Sequence, residues 1–245
     1  MHNPSTQHYI EQLSIDCVIF GYHHKVLKVL VPKLNFNGDF WALPGGFINQ
    51  SEDIDDAANR ILQDRTGIKE IYLEQFLVFG RASRNSHDFM ERLLALNAEL
   101  MKPDGPNKKE YEWFTKRFVS IGYYALVEIN KVVPQKTDID QSIEWYDIKE
   151  LPALIIDHNE IVTKALFALR QNFDEKLTAF NLLPETFTMK ELQELYETVF
   201  DKPFARNNFQ RKILEMNVLD RLEKKFTGAA NKAPYLYRFK KVINE

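Results

Sequence analysis

The chain of 245 residues is long enough for one large or two small domains, and a hydrophobic content of 44% supports a packed core. Its single cysteine, Cys17, excludes an intramolecular disulfide, and no apolar run approaches the length of a membrane-spanning helix. Because the first residues also lack the basic-then-apolar pattern of a secretory signal, we expect a cytoplasmic protein.

Charge is distributed unevenly along the chain. Residues 201–245 contain 11 Lys and Arg against five Asp and Glu, a formal charge of +6, so the preceding 200 residues carry −9 of the overall −3. A basic terminal segment on an acidic body favours an anionic partner for that segment. The alternative is a solvated C-terminal face without a partner, and charge alone does not decide between them.

In chain order, the first predicted elements are a β-hairpin, a helix and a third strand. The β-branched and apolar runs 14–21 and 25–32 predict the hairpin. A helix is predicted over residues 53–65, with Gly67 as its C-cap. The strand is predicted over residues 72–81.

The helix lies within a segment whose glycine and charged residues have a specific spacing. The matching residues are Gly46, Glu52, Arg60, Leu62, Gly67 and Ile68. With the lead-in 41–47, this segment resembles the Nudix box, the signature of a family of pyrophosphohydrolases. The resemblance implies an α/β fold, the Nudix α/β/α sandwich.

Three positions depart from the family pattern, which carries glutamates where this chain has Ile61, Asp64 and Arg65. They are spaced i, i+3, i+4 and share one helix face, where carboxylates would bind Mg²⁺. An isoleucine cannot ligate a metal, and an arginine places a positive charge where the dication would sit. With only Glu52 and Asp64 remaining, we predict no catalytic residue, no metal site and no cofactor.

An alternative keeps the chain an enzyme. Asp55, Asp56 or an acid from a distant loop could rebuild a metal site next to Glu52. The chain would then be an active Nudix hydrolase of a nucleoside diphosphate derivative such as ADP-ribose.

Residues 82–116 depart from the compact Nudix plan. A helical stretch over 88–101 is followed by the breaker run 102–107, which is rich in proline and glycine. We predict an inserted helix and loop at this point.

Two strands and a helix complete the predicted N-terminal domain. The strands are predicted over 118–128 and 143–147, and the helix over 159–171. We place the domain boundary after residue 174, which gives a Nudix-like effector-binding domain over 1–174 and a second domain over 175–245.

The second domain begins with a well-defined helix start, where Thr188 and Glu191 have the spacing of a capping box. A second helix is predicted over 206–216, followed by a hairpin of strands 219–226 and 235–239. Helix, turn, helix and hairpin, in this order, predict a winged helix-turn-helix domain.

The second helix and the hairpin carry side chains suited to DNA. Arginine can read guanine edges, asparagine and glutamine can read adenine edges, and lysine suits phosphates. The predicted DNA-binding residues are Arg206, Asn207, Gln210, Arg211, Lys212, Lys224, Lys225, Lys232 and Tyr237. The alternative is a small helical appendage for dimerisation, with its charges solvated.

Over nearly its full length the chain resembles the Nudix-related transcriptional regulators of bacteria. The markers are the degenerate box and the segments 180–184, 187–197, 206–212 and 236–239. The resemblance implies a homodimer that binds palindromic double-stranded operator DNA and responds to a small metabolite in its Nudix-like domain.

Members of this family respond to two kinds of effector. Some members respond to ADP-ribose, whereas a Bacteroidetes branch, which includes arabinose regulators, responds to pentoses. Segments 117–126 and 180–184 resemble the sugar-responsive branch, so we predict a pentose or a related sugar. The predicted effector-binding residues, which supply aromatic platforms and cationic groups, are Trp41, Phe79, Arg81, Arg117 and Tyr123. For each aromatic residue, packing in the core is the alternative.

Overall fold

The first part of the fold is a six-stranded mixed sheet. A computed structural model describes residues 8–69, 71–84, 86–101, 113, 115–173, 182–225 and 233–240. The strands are β1 (Tyr9–His23), β2 (Val26–Leu34), β3 (Gly45–Asn49), β4 (Tyr72–Phe79), β5 (Val119–Glu128) and β6 (Asp140–Asp147). Their order is β4-β5-β1-β2-β6, and β3 pairs with β1. The β1–β5 pair is parallel, whereas the other pairs are antiparallel.

Helices cover both faces of this sheet. Alternate residues of β1 point to opposite faces, so Cys17 packs in the core beneath α1 (Ile54–Thr66), whereas Val18 packs in the core beneath α3 (His158–Asn172). Both residues are fully buried, as expected for a central strand covered on its two faces. The predicted Nudix α/β/α sandwich is confirmed.

The predicted helices and strands of this part are confirmed with small shifts of their ends. Helix α1 ends where Gly67 adopts the left-handed conformation, with φ of 69°, and its N–H donates to the carbonyl of Gln63. The short strand β3 was not predicted, because its Gly-Gly start lacks the β-branched pattern of a strand. Its pairing with β1 explains why β1 begins at Tyr9.

The inserted helix is shorter than predicted. Helix α2 (His87–Leu96) ends at Asn97, and a 3₁₀ turn follows over Ala98–Met101. The Asn97 amide donates to the carbonyls of Leu93 and Asn37, so its hydrogen bonds fix the end of the helix. The predicted breaker run 102–107 lies outside the described residues.

The C-terminal part has the predicted winged-helix order. Its elements are β7 (Phe187–Thr188), α4 (Met189–Phe200), α5 (Arg206–Glu215), β8 (Leu219–Lys224) and β9 (Tyr235–Phe239), with sheet order β7-β9-β8. The capping box is present: Thr188 N donates to Glu191 Oε2 at 2.6 Å, and Glu191 N donates to Thr188 Oγ1 at 3.2 Å. The predicted domain boundary at residue 174 falls in the segment 174–181, outside the described residues.

A single hydrophobic core links the sheet to the winged helix. It runs from the β1 face covered by α3 through Leu182 and Leu183 to α4. Phe173, just after α3, lies 4.9 Å from the Tyr196 ring centroid and 5.8 Å from that of Phe200. The two parts of the chain therefore share one packed interior.

Polar contacts cross the same junction. Arg170 Nε donates to the carbonyl of Val199 at 2.6 Å, and Lys25 Nζ in the β1–β2 turn lies 2.9 Å from Glu194 Oε1. Lys149 Nζ lies 2.5 Å from Asp201 Oδ1.

None of the helices in the described residues is long and apolar enough to span a membrane.

Candidate functional site

The loop before α1 keeps its shape through a clamp between Glu52 and Arg60. Arg60 Nε donates to Glu52 Oε2 at 3.0 Å, and Arg60 Nη2 donates to Glu52 Oε1 at 2.6 Å. Arg60 also donates to the carbonyl of Phe47, and Asn49 N donates to Glu52 Oε1. The hydrogen bonds from Arg60 lower the pKa of Glu52 to about 2, so this carboxylate is engaged in holding the loop.

Two of the three positions at which the family carries glutamates on this helix face are buried. The side chain of Ile61 is 4% exposed, and a Cβ placed on Gly46 would lie 3.0 Å from its Cδ1. Asp64 is exposed to solvent. Asp55, one of the acids that could have rebuilt a site, accepts a hydrogen bond from the Tyr123 hydroxyl at 2.6 Å.

Arg65 is not the uncompensated charge that its sequence position suggests. Its side chain is buried in an ion pair with Asp140, which is also fully buried. Thr137 N and Oγ1 donate to the same Asp140 oxygen, Oδ2, at 2.7 and 2.8 Å. Among the residues that the structure describes, His, Cys, Asp and Glu form no group of three or more that could hold a metal ion.

A buried polar network surrounds Asp16 in the middle of β1. Arg84 donates to Asp157 Oδ2 at 2.8 Å, to Asp16 Oδ2 at 3.3 Å and to the carbonyl of Phe118 at 3.0 Å. Ser120 Oγ donates to Asp16 Oδ2 at 2.5 Å. The network joins β1, β5, the segment after β4 and the N-terminal end of α3.

His158 completes this network in its neutral form. Leu43 N donates to its Nδ1 at 2.9 Å, and its Nε2 lies 3.6 Å from Asp16 Oδ1. Burial lowers the pKa of His158, and the nearby carboxylate opposes this shift. Because Nδ1 accepts a hydrogen bond, the proton of the neutral ring is on Nε2, facing Asp16.

A cleft of about 420 Å³ opens above the network, between α2, the segment after β4 and the start of α3. Its lining residues are Asp39, Phe40, Arg81, Ser83, Arg84, Asp88, Phe89, Arg92, Ala153, Leu154, Ile155, Ile156, Asp157 and Glu160. Arg81 donates to both oxygens of Glu160, at 2.8 and 3.1 Å, and the Arg92 guanidinium lies 5.3 Å from the centroid of the Phe40 ring. The cleft thus combines paired charges with aromatic walls, a composition suited to a small polar ligand.

The structure does not bring the five predicted effector residues together. Arg81 lines the cleft, whereas Arg117 is exposed outside the cleft lining. Trp41 is adjacent, since its carbonyl accepts from Ile155 N at 2.8 Å. Phe79 and Tyr123 are core residues, 7% and 2% exposed, so their predicted role as ligand platforms does not fit their burial.

Sequence reasoning missed most of the cleft. Phe40, Arg84, Phe89, Asp157 and Glu160 come from segments far apart in the chain, which only the sheet topology brings together. Of all the lining residues, only Arg81 was predicted, as a cationic group for the effector.

Helix α5 presents a polar face to solvent. Phe209 and Ile213 are 3% and 2% exposed and fix its inward side. The outward side forms a shallow depression lined by Asn207, Gln210, Arg211, Leu214 and Glu215. Arg206 is exposed in the first turn of the helix, and Lys212 Nζ lies 6.0 Å from the centroid of the Tyr196 ring.

The hairpin places further basic residues beside α4. Lys225 is exposed, with its Nζ 3.3 Å from Glu191 Oε1, and Lys224 Nζ lies 5.5 Å from the centroid of the Tyr235 ring. Lys232 lies outside the described residues. Tyr237 is 6% exposed and belongs to the shared core, so its predicted contact with DNA does not fit its position.

Both parts of the chain match known families. Residues 11–166 match the NUDIX domain, and residues 179–239 match the NrtR DNA-binding winged helix domain. The "ADPR responsive transcriptional repressor NtrR" of Acinetobacter baylyi is 27% identical over 234 residues, which cover 93% of this chain and 81% of that protein. An RNA pyrophosphohydrolase of Bartonella clarridgeiae is 29% identical over 168 residues, 65% of this chain and 90% of that protein.

A solved structure confirms the two-part fold. The crystal structure of Shewanella oneidensis NrtR complexed with a 27mer DNA superposes with a TM-score of 0.67. The identity is 24%, and the superposition covers 94% of each chain. At this identity the likeness concerns the fold alone.

The buried pair on α1 gives a prediction about stability. We expect Asp140→Asn to destabilise the protein by about 3–5 kcal/mol, because it leaves the Arg65 guanidinium buried without a charged partner. The measurement is urea unfolding followed by tryptophan fluorescence. The control is Asp201→Asn, which breaks the exposed pair with Lys149 and should leave the unfolding midpoint nearly unchanged. Equal shifts of the two midpoints would contradict this account of Arg65.

Proposed function

Since the chain belongs to the Nudix family, we propose that its altered box marks a regulator rather than a hydrolase. The protein is a metabolite-responsive transcriptional regulator. It binds double-stranded operator DNA through α5 and the β8–β9 hairpin, and a small effector through the cleft of its Nudix domain. The observation that carries this proposal is the outward face of α5, which combines Asn207, Gln210 and Arg211 in one depression.

These residues have the chemistry of base recognition. Asparagine and glutamine match the donor and acceptor of adenine in the major groove, and arginine matches the two acceptors of guanine. The exposed Lys225 on the adjoining hairpin is placed to contact phosphate. The match of residues 179–239 to a DNA-binding winged helix supports the same function.

A symmetric homodimer would place two copies of α5 on two half-sites. Helices that read the major groove in dimers are separated by about 34 Å, or a multiple of that distance. We therefore propose a palindromic operator with half-sites one or more helical turns apart.

ADP-ribose is the first effector to test. The name of the Acinetobacter relative attributes to that protein a response to this compound, and the relative aligns with 93% of this chain. Arg81 and Arg92 in the cleft are the groups that could bind its pyrophosphate.

The charges of the cleft support a pentose as the second candidate. Arg81 is already paired with Glu160, and Arg84 with Asp157, so a pyrophosphate would have to compete with carboxylates. The hydroxyls of a neutral sugar could instead donate hydrogen bonds to these carboxylates, and its ring could pack against Phe40.

Helix α3 connects the cleft with the DNA-binding part. Asp157 and Glu160 at its start line the cleft, whereas Arg170 near its end contacts α4. A helix of 15 residues spans about 22 Å. An effector that displaces the start of α3 would therefore change the packing of the winged helix.

The hydrolase alternative can be tested directly. We expect no Mg²⁺-dependent hydrolysis of ADP-ribose, because Ile61 and Arg65 belong to the core and leave one exposed acid, Asp64, on the former metal face. The measurement is phosphatase-coupled release of phosphate. Turnover on the order of 1 s⁻¹ that Asp64→Asn abolishes would show a working metal site and contradict the proposal.

DNA binding should divide the basic residues into two classes. We expect Arg211→Ala to weaken binding by about 1–3 kcal/mol and to relax the preference at one base pair. Lys225→Ala should weaken all sequences alike and lower the slope of log K against log salt by about 1. Fluorescence anisotropy with the duplexes enriched by the protein from a random pool, at two salt concentrations, measures both effects.

The control for this experiment is Lys136→Ala, an exposed lysine on the Nudix domain that should leave binding unchanged. If Arg211→Ala and Lys225→Ala also leave binding unchanged, α5 and the hairpin do not form the DNA-binding surface.

Two charge variants distinguish the effectors. If the effector is ADP-ribose, Arg81→Gln should weaken its binding, whereas Glu160→Gln should strengthen it by releasing Arg81 from its carboxylate partner. If the effector is a pentose such as arabinose, both variants should weaken binding, and salt should have little effect. Calorimetry on the full chain measures the affinities.

Arg117→Gln serves as the matched control, because Arg117 is an exposed arginine outside the cleft lining. Equal losses from Arg81→Gln and Arg117→Gln would place the effector elsewhere. Linkage requires that the effector changes DNA affinity by the same factor as DNA changes effector affinity.

A further inference from the structure

One apolar side chain stands on the outward face of α5. Leu214 is 47% exposed and lines the same depression as Asn207, Gln210 and Arg211. A single exposed leucine is ordinary on a protein surface. The informative feature is its place, one helical turn after Gln210 and within the depression that Asn207 and Arg211 also line.

If this face enters the major groove, as the proposed function requires, Leu214 loses its water and contacts base edges. Those edges carry hydrogen-bond donors and acceptors, and the apolar group among them is the C5 methyl of thymine. An apolar side chain against any other edge would leave a polar group without a partner. We propose that Leu214 is a specificity-determining residue that recognises a thymine methyl in each half-site.

The neighbouring side chains place this thymine beside a polar contact. One turn of helix advances 5.4 Å, which is under two base-pair steps of about 3.4 Å. Leu214 and Gln210 therefore reach the same or adjacent base pairs, and glutamine matches adenine. Arg211 Nε lies 3.9 Å from Glu215 Oε1, so the arginine is held on the other side of Leu214. The geometry points to an A·T-containing step read jointly by Gln210 and Leu214.

Deoxyuridine gives a direct test, because it differs from thymidine only by the missing methyl. Duplexes enriched by the full-length protein from a random pool would be resynthesised with one thymine at a time replaced by deoxyuridine. Anisotropy titrations then compare the wild type with Leu214→Ala. In the wild type, we expect one thymine per half-site whose replacement weakens binding about four-fold, the equivalent of ~0.8 kcal/mol for one buried methyl.

The variant should show the coupling between the two groups. Leu214→Ala, which removes the contact in both half-sites of the proposed homodimer, should bind the unmodified duplex about 16-fold more weakly and should no longer respond to deoxyuridine at that position. Leu214→Met, which keeps an apolar side chain, should retain the response. Leu96→Ala is the matched control, since Leu96 is also 47% exposed but lies on α2, and it should behave as the wild type.

Two results would overturn the assignment. One is a Leu214→Ala protein that binds with wild-type affinity, and the other is a variant that still loses affinity at every thymine at which the wild type does. In either case the wild type would still bind its enriched duplexes, so the proposed function would stand. A wild type that enriches no duplex would instead reject DNA binding itself. Because the Leu214 side chain is exposed, an unchanged thermal midpoint should accompany each result.

Discussion

The shared hydrophobic core between the sheet, α3 and the winged helix is the constraint on which both candidate surfaces depend. Phe173 and Tyr196 pack against each other inside it, so the end of α3 and the body of α4 cannot move independently. The start of α3 forms one wall of the cleft, and α4 supports the outward-facing α5 through Phe209. A closely packed interior transmits displacements because its side chains have no room to absorb them. The fold would thereby give a metabolite bound in the cleft a physical route to the candidate DNA-binding surface.

Contacts within the protein hold the loop and the helix of the Nudix box in place. The Glu52–Arg60 clamp and the close approach of Gly46 to Ile61 still form the loop and the helix. These contacts depend on shape and on one ion pair, so they do not require glutamates at positions 61, 64 and 65. On this helix face, Ile61 packs among apolar groups and Arg65 forms a buried ion pair. The spacing of the Nudix signature therefore also serves the structure of this loop and helix.

Sequence periodicity was enough to predict most of the elements. It failed for β3, whose residues carry no strand pattern of their own and are ordered by pairing with β1. It also failed for most of the cleft, because the contact between Arg84 and Asp16 joins residues that are distant in the chain. Aromatic residues were the least predictable: Tyr123 and Tyr237 have polar hydroxyls that suit a binding surface, yet both rings pack in the interior. Composition does not distinguish these two fates, whereas tertiary packing does.

The pairing of Arg65 with Asp140 disfavours the family's glutamate at position 65. A glutamate at position 65 alone would repel the carboxylate of Asp140, whose side chain is fully buried. A glutamate at position 61 would in turn place a charge in the apolar contact beneath Gly46. Each of these single substitutions is therefore disfavoured when no metal ion is bound to compensate the added charge. Metal-binding carboxylates at positions 61 and 65 would therefore also require substitutions in the residues that pack against them, Asp140 among them.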